Sequence, residues 1–418
     1  LNLAKEILKK ELGEENFNQI SNISQPVAAA SIAQVHFANI NTSGGEKEIA
    51  IKILRPNIEK IFNEELDALM LLAYITQSLI KKTARLKLVE IVQLLREITN
   101  VEMDLRFEAA AANELYENTK KDIGFRVPKI YWNQTSKKVL CLEKVNGVSI
   151  REVEKIKNLN INTAKIAKDI IRYFLKHAVR DGFFHGDMHQ GNLFVTNEGD
   201  IVPVDFGIMG RLNKNNRKYL AEILYGFIKR DYKKVAEVHF LAGLVSKNVS
   251  KDEFAQALRS IGEPIFGQSA KNISGGKLLA QLFEITEKFN MQTQIQLLLL
   301  QKNMVVVEGV ARKLDPNTNI WDISKPVLEN WLREVKDPIN KANDVLDNAS
   351  EVIKRLPDLP NIMDKANDVM TLISEGKFNP NSLSYQSLKE QELKLEIMRN
   401  KIIGGVLMLV IFVLIVFK

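Results

Sequence analysis

A chain of 418 residues is too long for one small core and predicts two to three folding units. Its 45% hydrophobic and 26% charged content excludes wholesale disorder, and a single cysteine, Cys141, excludes an internal disulfide and fits a reducing compartment. The net charge of +7 comes from scattered lysines, without basic runs interleaved with aromatics and without a zinc-finger or recognition-helix pattern, so nucleic acid is not an expected partner.

Helical periodicity begins at once and runs to Gln19; since the first residue is Leu1 rather than Met, the chain is expected to begin partway into a longer one. A loop from Ser21 to Ala30 follows. Next come two strand-like stretches, Ala33 to Ala38 and Glu48 to Leu54, joined by a turn at Asn41 to Glu46 in which Gly44 and Gly45 supply the permissive backbone. Helix dominates from Ile58 to Lys120, interrupted near Lys81 to Lys87. A short strand at Val139 to Lys144 stops at Asn146-Gly147. After it the pattern predicts a helix from Asn162 to Asp181, a hairpin from Leu193 to Val204, and almost continuous helix from Lys214 to Arg312. Strands early and helices late predict an α+β architecture with a small sheet lobe and a larger helical lobe, a ligand lying between them.

Residues 325–401 read as a separate helical extension broken by Pro357, Pro360 and Pro380. It contains two similar pentads, Lys341 to Val345 and Lys365 to Val369, too few for a repeat array. Ile402 to Phe417 is an unbroken run of 16 apolar or glycine residues. As helix it would reach about 24 Å, slightly short of the roughly 20 residues that span a bilayer core. Membrane insertion is expected, with Arg399 and Lys401 favouring a cytosolic side for the body of the protein.

The strongest chemical signal is His185-Gly186-Asp187-Met188-His189-Gln190-Gly191-Asn192, followed after the hairpin by Asp205-Phe206-Gly207. Phosphoryl transfer needs this set: one carboxylate orients the nucleophile, while a carboxamide and a second carboxylate hold magnesium on the nucleotide phosphates. Alternation along Glu48 to Leu54 places Lys52 on a face with Ala50 and Leu54, where an apolar residue would ordinarily sit. A kinase uses such a lysine on the α and β phosphates, paired with a helical glutamate. Candidate partners lie on the helix predicted over Glu102 to Glu108, where Asp104 and Glu108 share a face. The stretch from Pro26 to His36 stands where a kinase places its glycine-rich loop, but its alanines predict a stiffer cover.

Together, Ala28 to His36, Lys52 with Arg55-Pro56, Glu102-x-Asp104 with Glu108, His185 to Asn192, and Asp205-Phe206-Gly207 resemble the UbiB family of atypical kinase-like proteins. The resemblance runs from Glu11 to Pro316. It implies a bilobal protein kinase-like fold: an N-lobe over 1–145, a helical C-lobe over 146–324, a helical extension over 325–401 and a transmembrane segment over 402–417. It also implies that Lys52 pairs with Glu108, that Asp187 accepts the proton, and that Asn192 and Asp205 bind Mg2+. Val27, Ala28, Ala29, Ala30, Ser31, Ile32, Ala33, Gln34 and Val35 would cover ATP, with Glu143 and Val145 at the adenine-side hinge. Glu102 and Asp104 would serve regulation by meeting a Lys-x-Gly-Gln element that would precede Leu1. The implied function is a membrane-associated ATPase or kinase supporting isoprenoid quinone biosynthesis, with membrane lipids, lipid intermediates or quinone-biosynthesis enzymes as partners. An ordinary protein kinase fits less well, since Gly186 replaces the arginine expected after His185 and no Ala-Pro-Glu follows Gly207. The same catalytic set also suits a small-molecule phosphotransferase or a non-catalytic nucleotide-binding scaffold.

Overall fold

The computed structural model describes residues 1–29, 32–79, 88–266, 284–285, 288–289, 291 and 295–336. The unit Leu1–Lys336 contains all of them. The extension beyond 336, its pentads and the apolar run 402–417 therefore lie outside the described residues.

The N-terminal region is a sheet covered on one face by α1 (Asn2–Asn18). Its strands are β1 (Ile20–Ser21), β2 (Pro26–Ala29), β3 (Ala33–Thr42), β4 (Gly45–Leu54) and β5 (Val139–Glu143), in the order β1-β3-β4-β5, with β2 also paired to β3. Alternation decides what each face meets. Ile49, Ile51 and Ile53 of β4, with Val139 and Cys141 of β5, pack against Ala4, Leu8 and Leu12 of α1. Burying each leucine there contributes roughly 2 kcal/mol. Leu54 and Leu140 turn the other way, into the main core, and Lys52 shares their face as its alternation predicts. The β3–β4 strands run further than the sequence indicates because the turn is tight. Gly45 adopts φ 93°, and the Thr42 hydroxyl donates to its carbonyl at 2.8 Å.

Helices α2 (Ile58–Leu79), α3 (Leu88–Glu102) and α4 (Leu105–Thr119) follow β4. The single helix expected over Glu102 to Glu108 is broken: α3 ends at Glu102, and Asp104 has extended backbone and caps α4 by accepting the Arg106 amide at 3.1 Å. Aspartate satisfies an orphan amide better as a cap than within a helix, which sets the break.

The C-terminal region is mainly helical. After β6 (Gly147–Ser149) and α5 (Val153–Asn158), α6 (Thr163–Lys176) starts at the Asn162 cap and buries Ile166, Ile170, Ile171 and Phe174 at helical spacing. It ends in a wide turn, His177–Asp181, closed by left-handed Gly182, where an added Cβ would stand 2.4 Å from the Leu212 carbonyl oxygen. Asp122, beyond the end of α4, anchors this turn. Its carboxylate accepts from Lys176 at 2.6 Å, Arg180 at 2.8 and 3.1 Å and His177 at 3.1 Å.

Two small antiparallel sheets come next. β7 (Phe183–His185) pairs with β10 (Met209–Arg211), and β8 (Leu193–Thr196) lies between β6 and β9 (Ile201–Pro203). Because β7 leads into one loop and β10 leaves the other, residues 186–192 and 204–208 meet at the same end. The Gly186 amide donates to the Ile208 carbonyl at 2.8 Å, and the Val204 amide to that of Asn192 at 3.0 Å. Helices α7 (Lys214–Ile228), α8 (Tyr232–Leu241), α9 (Lys251–Phe266), α10 (Ile295–Leu314) and α11 (Ile320–Lys336) complete the region.

Candidate active site

The sheet brings Lys52 to the junction of the two regions. Its ammonium lies 2.9 Å from both oxygens of Glu108 on α4 and 3.5 Å from Asp205 Oδ2. Burial alone would lower the Lys52 ammonium, but Glu108 and then Asp205 outweigh it and hold the group above the ordinary lysine range. Burial, with Asp205 nearby, holds the Glu108 carboxyl above its usual range against the pull of Lys52. With both oxygens on the ammonium and one accepting the Phe206 amide at 3.3 Å, the ionised carboxylate is the form that fits. Burial also works against the charge of Asp205, yet Lys52 and the Gly207 amide hold its carboxyl below the usual range.

Asp187, Asn192 and Asp205 line one cavity of about 610 Å³ with Lys52, Glu108 and Glu102. The loop that carries Asp187 is fixed from three directions. The Asp187 amide donates to His185 Nδ1 at 3.0 Å, so the imidazole proton sits on Nε2, which donates to the Asp205 carbonyl at 2.5 Å. Complete burial keeps this imidazole neutral by lowering its pKa. Asn192 Nδ2 donates to the Asp187 carbonyl at 3.1 Å, leaving the amide oxygen as the end available to a cation. The third clamp comes from α10, where fully buried Asn303 donates to the His185 carbonyl at 2.6 Å and accepts the Met188 amide at 2.9 Å. Asp187 thus sits between two backbone groups held by one side chain.

The remaining predicted residues divide. Ile32 and Asp104 line the cavity, and Asp104 also pairs with Arg106 at 2.6 Å. Glu102 faces the same space, where packing and then Asp205 push its carboxyl up against the pull of Lys52. Val27, Ala28, Ala29, Gln34 and Val35 belong to the β2–β3 pair, which is bulged between Pro26 and Ala28 and forms strands instead of a loop; Ala33 is buried in the core, and none of the six is on the cavity wall. Ala30 and Ser31 lie outside the described residues. Glu143 and Val145 are not on the cavity wall; Glu143 is paired with Ile49 in the sheet and binds Arg126 at 2.7 Å.

Sequence reasoning missed Asn303, the neighbouring Lys302, whose ammonium lies 3.5 Å from Asp187 Oδ1, and His189, whose Nε2 lies 3.6 Å from Oδ2. The available signal was the polar Gln301-Lys302-Asn303 triplet interrupting the apolar stretch Leu297 to Val307.

Among the described residues no group of three or more His, Cys, Asp and Glu side chains converges on a metal position. Asp205 and the Asn192 amide oxygen are nevertheless a fitting partial set for magnesium, which takes few protein ligands and completes its shell with phosphate oxygens and water.

Two family models match the chain: the ABC1 atypical kinase-like domain over residues 2–239 and the UbiB helical domain over 258–319. The chain belongs to the UbiB family. A UbiB relative from Marinobacter nauticus, named Probable protein kinase UbiB, is 35% identical over 401 residues, covering 94% of this chain and 72% of its own length. The protein of the same name from Aeromonas hydrophila subsp. hydrophila is 36% identical over 342 residues, covering 81% and 62%. That from Histophilus somni is 36% identical and is likewise covered over 62% of its length. The chain thus spans between about six-tenths and seven-tenths of these relatives. In the solved structures, the Rv3197–erythromycin complex from Mycobacterium tuberculosis shares the fold, with a TM-score of 0.57 at 22% identity over 78% of this chain and 82% of that one. The kinase-like fold, with its sheet-bearing N-terminal region and helical C-terminal part, is the one expected from the sequence. Asn303 and Lys302 belong to the UbiB helical domain, so that domain reaches the loop carrying Asp187.

Proposed function

We propose that the protein is a magnesium- and ATP-dependent atypical kinase or ATPase that supports isoprenoid quinone biosynthesis, of the ubiquinone type, at a membrane. The observation that carries this reading is the meeting of Lys52 with Glu108 and Asp205, at 2.9 and 3.5 Å, beside Asp187 and Asn192 in one cavity. Lys52 binds and orients the nucleotide phosphates, Glu108 keeps it charged and in place, and Asp187 takes the proton of the attacking hydroxyl or water. Asp205 and Asn192 hold magnesium, which when bound supplies positive charge on the phosphate oxygens. The role in quinone biosynthesis follows family membership.

The partners in this reading are membrane lipids, lipid intermediates and quinone-biosynthesis enzymes, and the acceptor is water, a lipid or a protein hydroxyl. Ile402 to Phe417 anchors the chain, with the nucleotide site facing the cytosol. Among the described residues no helix is long and apolar enough to cross a membrane, and the run itself lies outside them.

The test incubates the chain with ATP and magnesium, with and without anionic liposomes, and follows phosphate release and phosphorylated product separately. Magnesium-dependent turnover by the parent and none by Asp187→Asn is expected. No turnover and no magnesium-dependent nucleotide binding would overturn the reading.

A further inference from the structure

Phosphoryl transfer spreads negative charge over the oxygens of the group in flight, and sites that catalyse it aim fixed cations at that group. Lys52, which the reading above places on the nucleotide phosphates, is held between Glu108 and Asp205, whereas the partner of Lys302 is Asp187. The loop from His185 to Asn192 contains neither lysine nor arginine, and Gly186 stands where a protein kinase has its arginine. Within the loop His189 Nε2 lies 3.6 Å from Asp187 Oδ2, but the lysine facing Asp187 comes from a distant part of the chain: Lys302 on α10, at 3.5 Å from Oδ1.

Three observations give this pair more weight than a chance surface contact. First, the residue beside it, Asn303, is wholly buried and clamps both sides of the Gly186-Asp187 segment, so the base of Lys302 is fixed relative to the loop. Second, the Lys302 side chain is 56% exposed, and its partner Asp187 lines the cavity, so a flexible ammonium is held at the mouth next to the group that must meet the acceptor. Third, Gln296 and Leu299, on the preceding turns of α10, line that same cavity, so this helix forms a wall of the site.

We propose that Lys302 is a catalytic residue of the phosphoryl-transfer step, contributed by the helical domain in place of the cation that the loop lacks. The inference rests on the phosphotransfer reading above. In that step the bond between the γ-phosphorus and the β–γ bridging oxygen breaks, and ADP leaves with its electron pair. A bond from the acceptor oxygen to phosphorus forms, and the acceptor proton passes to Asp187. Lys302 keeps its proton throughout. It donates to a peripheral oxygen of the moving phosphoryl group and is drawn from Asp187 toward that group as charge develops there.

The test uses the full 418-residue chain carrying Lys302→Met or Lys302→Arg. Turnover of ATP with magnesium is measured beside affinity for Mg-ADP alone and for Mg-ADP with aluminium fluoride, which mimics the phosphoryl group in flight. Lys302→Met should lower kcat by about 10- to 100-fold and weaken the fluoride complex by a similar factor, with Mg-ADP affinity kept within about two-fold. Lys302→Arg should recover most of both losses. A Lys302→Met chain that turns over at the parent rate, while Asp187→Asn is inactive, overturns the role of Lys302 and leaves the function standing. Equal weakening of Mg-ADP and of its fluoride complex also overturns it, because a merely structural lysine would not distinguish them. A parent that neither turns over ATP nor binds Mg-ADP overturns both readings.

Discussion

Two buried charge clusters tie distant parts of this chain together, and their balance differs. Around Asp122, the cations Lys176 and Arg180 meet two carboxylates, Asp122 and Asp181, and His177 adds a neutral donor, so the charges balance. Around Lys52 one ammonium serves Glu108 and Asp205, with Glu102 on the same wall, so anions prevail. The first cluster is internally satisfied and acts as a brace for the turn before β7. The second is short of positive charge, which is what a site for magnesium and a nucleotide requires. Burial and pairing look alike in both; an unpaired negative remainder separates the binding site from the brace.

Removing that remainder should have the largest effect. Asp205→Asn takes away the metal-facing charge, and magnesium-dependent turnover should fall by at least about 100-fold. Calorimetry should show magnesium-dependent ATP binding lost while the circular dichroism spectrum is kept. Unchanged ATP affinity would remove Asp205 from the site.

Breaking the brace should reverse the pattern. Asp122→Asn leaves Lys176 facing no carboxylate and Arg180 only Asp181, and should cost about 3 kcal/mol of stability by urea titration, with ATP affinity preserved. Glu108→Gln should cost less stability, since Asp205 remains beside Lys52, yet it should abolish turnover. If both variants lose stability and activity in proportion, the comparison fails.

Acid should weaken the brace next. Burial lowers the pKa of His177 despite its bond to Asp122, so the folded state holds it neutral. An unfolded histidine gains its proton below about pH 6.5, so this contribution is intact above that value and is lost as pH falls. The slope is at most about 1.4 kcal/mol per pH unit for each proton. His185 and His239 are lowered by burial in the same way and add to the effect. Unfolding free energies at pH 5, 6 and 7 should decline toward acid, less steeply in His177→Gln. Burial works against the charge of Asp122, but His177, Arg180 and Lys176 hold its carboxyl well below the usual carboxylate range. Its stabilisation therefore persists through this window and disappears only in stronger acid.

The smallest effects concern Asp104. Asp104→Ala should lose the α4 cap at about 1 kcal/mol, and Asp104→Ser should keep it. Arg106→Ala, removing a largely exposed partner, should cost less than loss of the cap. A Ser variant with normal melting but altered nucleotide affinity would show that Asp104 acts on the site beyond capping its helix.

The legible parts of this protein were those whose chemistry is local. Alternation along β4 was enough to set Lys52 apart from Ile51 and Ile53, and the spacing of Asp187, Asn192 and Asp205 across a short hairpin brought them to one wall. Periodicity alone could not show that Asp104 ends one helix and starts the next, because a carboxylate at i and i+4 from Glu108 suits a continuous helix equally well. The strand β2 was read as loop because its pairing with β3 depends on partners and a bulge, neither visible in four small residues. Asn303 lies 118 residues from His185, and the polar break around it in an apolar stretch marks it out without naming the loop it bonds.

The Asn303 clamp bears on how this protein can be dissected. Cutting the chain after α8 would retain Lys52, Glu108, Asp187, Asn192 and Asp205, and so would look like a minimal kinase. It would also remove the side chain that supports the backbone on both sides of Asp187. The boundary between two consecutive family matches is therefore not a structural one: a side chain of the second segment holds the loop of the first, and exchanging either for that of a relative calls for co-variation at position 303.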